Sequence, residues 1–227
     1  MGYTSLVGKP ATYNATLVEL LEGLGAVRYC KTNAPTAMMI AETVNNTFGR
    51  TVNPLNWKLT SGGSSGGESA LIAFGGSCLG VGSDIGGSLR IPAACTGLFT
   101  LRPSVGRFTT QACVSGLAGQ EAVASVNGPM ARTLEDILMY SKTIVDAQPW
   151  LVDPRCLPIP WRSVPRKTRL RLAVMWNDGV VLPTPPVTRA LKETVDKLKQ
   201  AGHDILEWDP ALHAQGASLL VSSSHVN

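Results

Sequence analysis

Two serines stand among glycines, in Gly62-Gly63-Ser64-Ser65-Gly66-Gly67-Glu68 and in Ser83-Asp84-Ile85-Gly86-Gly87-Ser88-Leu89-Arg90. Glycines on both sides of a serine let the backbone approach a substrate carbonyl and turn N–H groups toward it, which is what stabilising an oxyanion requires. A serine hydroxyl is a weak nucleophile until a base takes its proton, and the usual base is histidine. The three histidines, His203, His213 and His225, crowd the end of the chain, and none has a glycine-framed setting. Two facing serines then suggest a relay in which one serine activates the other and a lysine is the terminal base.

Other chemistry fits less well. Gly62-Gly63-Ser64-Ser65-Gly66 satisfies G-x-S-x-G, so an α/β-hydrolase esterase using Ser64 is a remote alternative. That elbow needs an apolar strand before it, and Pro54-Leu55-Asn56-Trp57-Lys58-Leu59-Thr60 does not read as one. Neither glycine cluster contains G-K-[ST], and Gly80-Val81-Gly82 lacks a third glycine in the dinucleotide-binding register.

The elements that must position these loops read as follows. A helix opens after Asn14 as N-cap, carries Leu17, Val18, Leu20, Leu21 and Leu24, and stops at Gly25; Ala26–Cys30 reads as a short strand. A helix-to-strand unit of this kind belongs to an α/β fold. Residues 32–63 read as long connections with at most one short helix around Ala37–Val44. Glu68–Phe74 is helical and begins just after the first glycine loop. Leu79–Ser83 is a short buried strand, and Ser88–Cys95 opens a further helix. Residues 108–128 read as irregular. Thr133 caps a helix whose inner face is Leu134, Ile137, Leu138, Ser141, Ile144 and Val145. The prolines of Gln148–Pro165 mark an extended linker. A strand over Leu170–Trp176, an amphipathic helix over Pro186–Gln200 and a strand over Asp204–Trp208 follow.

Composition narrows the classes. Of 227 residues 44% are hydrophobic and 16% charged, enough apolar content for a folded core. The 20 basic and 16 acidic residues leave +4, too small an excess for a nucleic-acid binder. The basic run Arg162, Arg166, Lys167, Arg169 and Arg171 has no interleaved aromatics beyond Trp161 and reads as a solvated edge. Five cysteines without C-x-x-C spacing suggest neither a zinc site nor a disulfide framework, and a cytoplasmic location is expected. No signal peptide or membrane span is read.

The stretch from Ser61 to Arg107 resembles the signature of the amidase signature family: GGSSGGE, a SDIGGS loop, Arg90-Ile91-Pro92-Ala93, and a close with Arg102-Pro103-Ser104 and Gly106-Arg107. The resemblance extends over Lys31-Thr32-Asn33, Phe48–Pro54, Gly128–Arg132 and Trp150–Pro154, and is nearest to the fungal amidases at residues 178–186. It implies an α/β fold with a central mixed β-sheet flanked by helices on both faces. Residues 1–227 would form an incomplete domain, with signature core 61–107, proline-rich connection 148–165 and C-terminal strand–helix–strand unit 170–208. It also implies an amide hydrolase acting on small or aliphatic carboxamides, without metal or cofactor.

By the same resemblance Ser88 is the acyl-forming nucleophile and Ser64 the bridging serine, beside a cis peptide. The N–H groups of Ile85, Gly86, Gly87 and Ser88 form the oxyanion hole, Met38 lines the substrate, and Ser65, Asp84 and Arg90 support the loops from behind. The family lysine belongs in an apolar strand upstream of the first loop. Lys9 sits in a solvent-type loop and Lys31 matches a different family lysine, so the expectation is a chain that begins just downstream of the base and is also short at its other end. A non-catalytic amidase remnant or binding protein is therefore the rival expectation.

Overall fold

The computed structural model describes residues 1–116, 119–165 and 167–223. These divide into two compact units, Met1–Arg162 and Ser163–Asn227.

In the first unit, α1 (Thr16–Gly23) is capped by Ala15 rather than Asn14, and Gly25, at φ 91°, takes the left-handed turn that ends it. Leu17 is its buried residue. The expected strand at Ala26–Cys30 does not form. A strand exists only through a ladder partner, and this stretch is tied instead by Ala26 N–H to Leu21 O and Tyr29 Oη to Gly76 O. Nor is there an α-helix over 37–44. Ala37 and Met38 both sit at φ 60°, which a right-handed helix cannot accommodate, and leave only a tight turn at Thr36–Met38.

Two short hairpins follow, β1 (Val44–Asn45) with β2 (Gly49–Arg50) and β3 (Val52–Asn53) with β4 (Asn56–Thr60). These hairpins correct the reading of 32–63 as long connections: Asn53 at the second turn accepts from Leu55 N–H through its side chain and supports the hairpin, whose second strand is largely exposed and is not the apolar strand that a G-x-S-x-G elbow needs. Next come α2 (Gly66–Ala73), β5 (Leu79–Asp84), α3 (Arg90–Thr96), β6 (Phe99–Thr100), β7 (Val126–Ala131) and α4 (Leu134–Asp146). Strands β5, β7 and β6 form an antiparallel sheet with β7 in the centre, in register from Leu79 opposite Ala131 to Asp84 opposite Val126. Gly128 and Pro129 disguise β7 in sequence, because both are disfavoured in a central strand.

The core gathers round this sheet in two clusters. Ile72, Leu89, Ala93 and Met130 join α2, α3 and β7. Leu17, Phe108, Tyr140, Ile144 and Val145 join α1 to α4, with the Phe108 and Tyr140 rings edge to face at 5.8 Å. Thr133 caps α4 as expected, accepting from Asp136 N–H at 3.1 Å. Ile137, Ser141, Ile144 and Val145 are buried as expected, Tyr140 joins them, and Leu134 and Leu138 are instead about half exposed. The stretch 148–165 is not an extended linker throughout. It opens with a turn at Pro149–Leu151 and buries Asp153 and Cys156, and Thr109 Oγ1 donates to Asp153 Oδ2 at 2.6 Å.

The second unit holds β8 (Arg171–Val174), α5 (Pro185–Gln200), β9 (Asp204–Glu207) and α6 (His213–Ser223), with β8 and β9 parallel. Proline occupies the first turn of α5 and Lys197 and Lys199 the last, which favours both ends. Arg169 pairs with Asp204; Arg166 lies outside the described residues.

Candidate active site

The first glycine loop is pressed from both sides. Gly62 has φ 76°, and a Cβ there would lie 2.7 Å from Pro92 Cα; one on Gly63 would lie 2.7 Å from Glu42 N and Ile40 O. The Gly63–Ser64 peptide is cis, as the resemblance implies. Thr43, fully buried, braces the loop. Its Oγ1 donates to Gly62 O at 2.9 Å and accepts from Gly66 N–H at 3.0 Å, so one hydroxyl spans from the loop to the start of α2. Nothing in the local sequence marks Thr43, since its partners are some twenty residues away.

The second loop is wound round Asp84, which has no exposed surface. Its carboxylate accepts from Gly87 N–H at 2.8 Å, from Leu89 N–H at 3.2 Å, and from Arg90 Nε and Nη2 at 3.0 Å each. Burial alone would raise its pKa. The Arg90 hydrogen bonds, the two amides and the Arg90 charge outweigh burial and hold it below the usual carboxylate value. Of the four amides assigned to an oxyanion hole by resemblance, the Gly87 N–H is thus turned to Asp84.

The structure brings Ser64 and Ser88 to one place. Both line a cavity of about 80 Å³ together with Met38, Ser83, Ile85 and Val123. The loops are joined by Ser65 N–H donating to Ser88 O at 3.2 Å. Ser64 is buried and Ser88 half-buried. Gln120, Val123 and Ser125 also face this cavity, from a segment that sequence patterning leaves without an element.

A second cavity of about 410 Å³ shares Met38, Ser64 and Ser83 with the first. Lys31, Arg28 and Glu68 stand in its wall. No lysine among the described residues lines the cavity that holds both serines. His203 and His213 lie in the second unit, where His203 Nδ1 accepts from Leu170 N–H and His213 Nε2 from Trp208 Nε1; His225 lies outside the described residues. Among the described residues no group of three or more His, Cys, Asp or Glu side chains is placed to hold a metal ion, and no helix is long and apolar enough to cross a membrane.

The family model for Amidase matches residues 1–226. The chain belongs to the amidase signature family. It is 41% identical over 234 residues to an acetamidase of Emericella nidulans, covering 100% of this chain and 42% of that protein. With Amidase 1 of Gibberella moniliformis it shares 43% identity over 218 residues, covering 94% and 42% of the two. Among solved structures, a fatty acid amide hydrolase superposes with a TM-score of 0.87 at 43% identity, over 92% of this chain and 37% of that one. This amidase-family chain therefore has the α/β fold of its relatives, and spans about two fifths of the length of the curated relatives named here.

Proposed function

We propose that residues 1–227 carry the nucleophile-bearing part of an amide hydrolase of the Ser-Ser-Lys type, acting on small or aliphatic carboxamides. The observation behind this reading is the meeting of Ser64 and Ser88 at one small cavity, on two glycine loops joined by a hydrogen bond. In the proposed reaction Ser88 Oγ attacks the amide carbonyl carbon while its proton passes to Ser64 Oγ and the Ser64 proton passes on to the neutral amine of the relay's lysine. The Ile85, Gly86 and Ser88 N–H groups face the oxyanion. As the C–N bond breaks, Ser64 returns a proton to the departing amine, leaving an acyl group on Ser88. Water, deprotonated through the same relay, then attacks the ester and releases the acid. The lysine of the relay is not matched by Lys9 or Lys31, so residues 1–227 by themselves are proposed to turn over slowly. Five free cysteines accord with the cytoplasmic setting that forms part of the proposal.

A serine-directed fluorophosphonate tests this reading. Ser88 is expected to label slowly in residues 1–227, and Ser88→Ala to abolish the label. Label that maps to Ser64 and survives Ser88→Ala would overturn it. The rival, a binding protein without turnover, is favoured by the lack of a lysine in the shared cavity among the described residues; it predicts saturable binding of an amide with no label on either serine.

A further inference from the structure

Helix α2 and strand β5 meet in a register that the glycines of both elements permit. A Cβ on Gly80 would lie 2.1 Å from Glu68 Oε1, and one on Gly82 would lie 2.6 Å from Ser65 Oγ, so each β5 glycine is the notch for one α2-end side chain. In those notches Glu68 Oε1 accepts from Val81 N–H at 3.1 Å, and Ser65 Oγ accepts from Ser83 N–H at 3.2 Å while donating to Ser83 O at 3.3 Å. The spacings match. Residues three apart on a helix are neighbours ~5–6 Å apart, and residues two apart on a strand are separated by ~6.6 Å on the same edge. Two side chains one helical turn apart thus bond two successive amides on the side of β5 away from β7. The other Glu68 oxygen accepts from Thr32 Oγ1 at 2.7 Å, so the carboxylate also ties in the 31–33 segment; there a Cβ on Gly67 would lie 2.3 Å from Asn33 O.

We propose that Glu68 is a positioning residue for the reaction. Its carboxylate, seated over Gly80, sets where β5 lies along α2, and β5 ends in Asp84, the residue round which the Ser88 loop is wound. Ser64 is fixed to the start of α2 and Ser88 to the end of β5, so the register of these two elements is the separation of the two serines. Gly80-Val81-Gly82 has its use here, as a seat for Glu68 and Ser65. The inference rests on the acyl-Ser88 reading for its kinetic consequence only.

The test compares residues 1–227 with Glu68→Gln, Glu68→Ala and Gly80→Ala, the last leaving the carboxylate in the chain but pushing it from its seat. Two quantities are read: the saturating rate and half-saturating concentration of fluorophosphonate labelling at Ser88, and amide hydrogen exchange at Val81 and Gly87 against amides of α4. Glu68→Ala and Gly80→Ala are expected to slow the saturating rate at least about tenfold and to speed exchange at Val81 and Gly87 by a similar factor, with α4 unchanged. Glu68→Gln still accepts from Val81 and is expected to stay within about threefold of the unchanged chain. Glu68→Gln failing as badly as Glu68→Ala, unchanged exchange at Gly87, or loss of protection spread evenly into α4 would overturn the proposal. If the unchanged chain is not labelled at Ser88, the acyl-enzyme reading falls, and exchange at Gly87 alone decides whether Glu68 sets this register.

Discussion

Ser65 N–H donates to Ser88 O at 3.2 Å, and this one bond joins two glycine loops that the chain separates by a whole helix and strand. Ser65 lies next to Ser64, so the bond holds the backbone of one candidate catalytic serine against that of the other. The Ser65 side chain adds its two bonds to Ser83 on the strand that leads into the second loop.

The tightness of the first loop predicts a contrast between two glycines with left-handed backbones. Gly25 has open space where a methyl group would point, so Gly25→Ala is expected to cost only the conformational term, about 1–2 kcal/mol. Gly62→Ala adds a collision with the Pro92 backbone, and about 2–5 kcal/mol is expected in total. Urea unfolding of the two variants measures both; equal losses would show that the loop is not compressed.

The Asp84 latch predicts an asymmetry between partners. Removing the buried carboxylate in Asp84→Ala leaves the Gly87 and Leu89 amides without it, and a loss of about 2–4 kcal/mol is expected. Arg90→Ala is expected to cost less, about 1–3 kcal/mol, because the Gly87 and Leu89 amides still hold the carboxylate although the buried charge loses its partner. Labelling of Ser88 should fall much further in Asp84→Ala than in Arg90→Ala.

Acid should act through two buried carboxylates. Burial raises the Asp153 pKa, but hydrogen bonds from Arg155 and Thr109 and the Arg155 charge bring it down from 3.8 to about 2, and Asp84 is lowered in the same direction. A carboxylate whose pKa is lower folded than unfolded contributes stability in full above its unfolded value, and that contribution is lost as pH falls toward the folded one. Stability is therefore expected to be flat with respect to these two groups near neutrality and to decline from about pH 4 to about pH 2. Thermal melts of Asp153→Asn should show a shallower decline over that window.

Turnover is the fourth expectation. Residues 1–227, assayed on aliphatic and aromatic carboxamides, should be slower than a longer chain carrying an upstream segment with the family lysine, by at least the ~10²–10⁴-fold typical of general-base help. Equal turnover by the two would assign the base to a residue already present, with Lys31, which lines the larger cavity as Ser64 does, the first to replace.

What the sequence by itself determined is local or carried by pattern. The glycine loops, α2, β5, the Thr133 cap of α4 and amphipathic α5 follow from glycine placement, capping chemistry and hydrophobic period, and the signature from Ser61 to Arg107 marks the family. Tertiary structure decided whatever depends on a distant partner. The Ala26–Cys30 stretch has strand-like residues but no ladder, whereas β7 is a central strand despite Gly128 and Pro129, because β5 and β6 lie on either side of it. On α4 the period and the inward Ile137, Ser141, Ile144 and Val145 were legible, but Phe108 packs on Tyr140, so Tyr140 is inward as well, while Leu134 and Leu138 are left half exposed. Thr43 carries no mark of its work in sequence, and Glu68 only its place at the end of GGSSGGE, since a hydroxyl or a carboxylate becomes a brace only when the fold brings it a buried amide to bond.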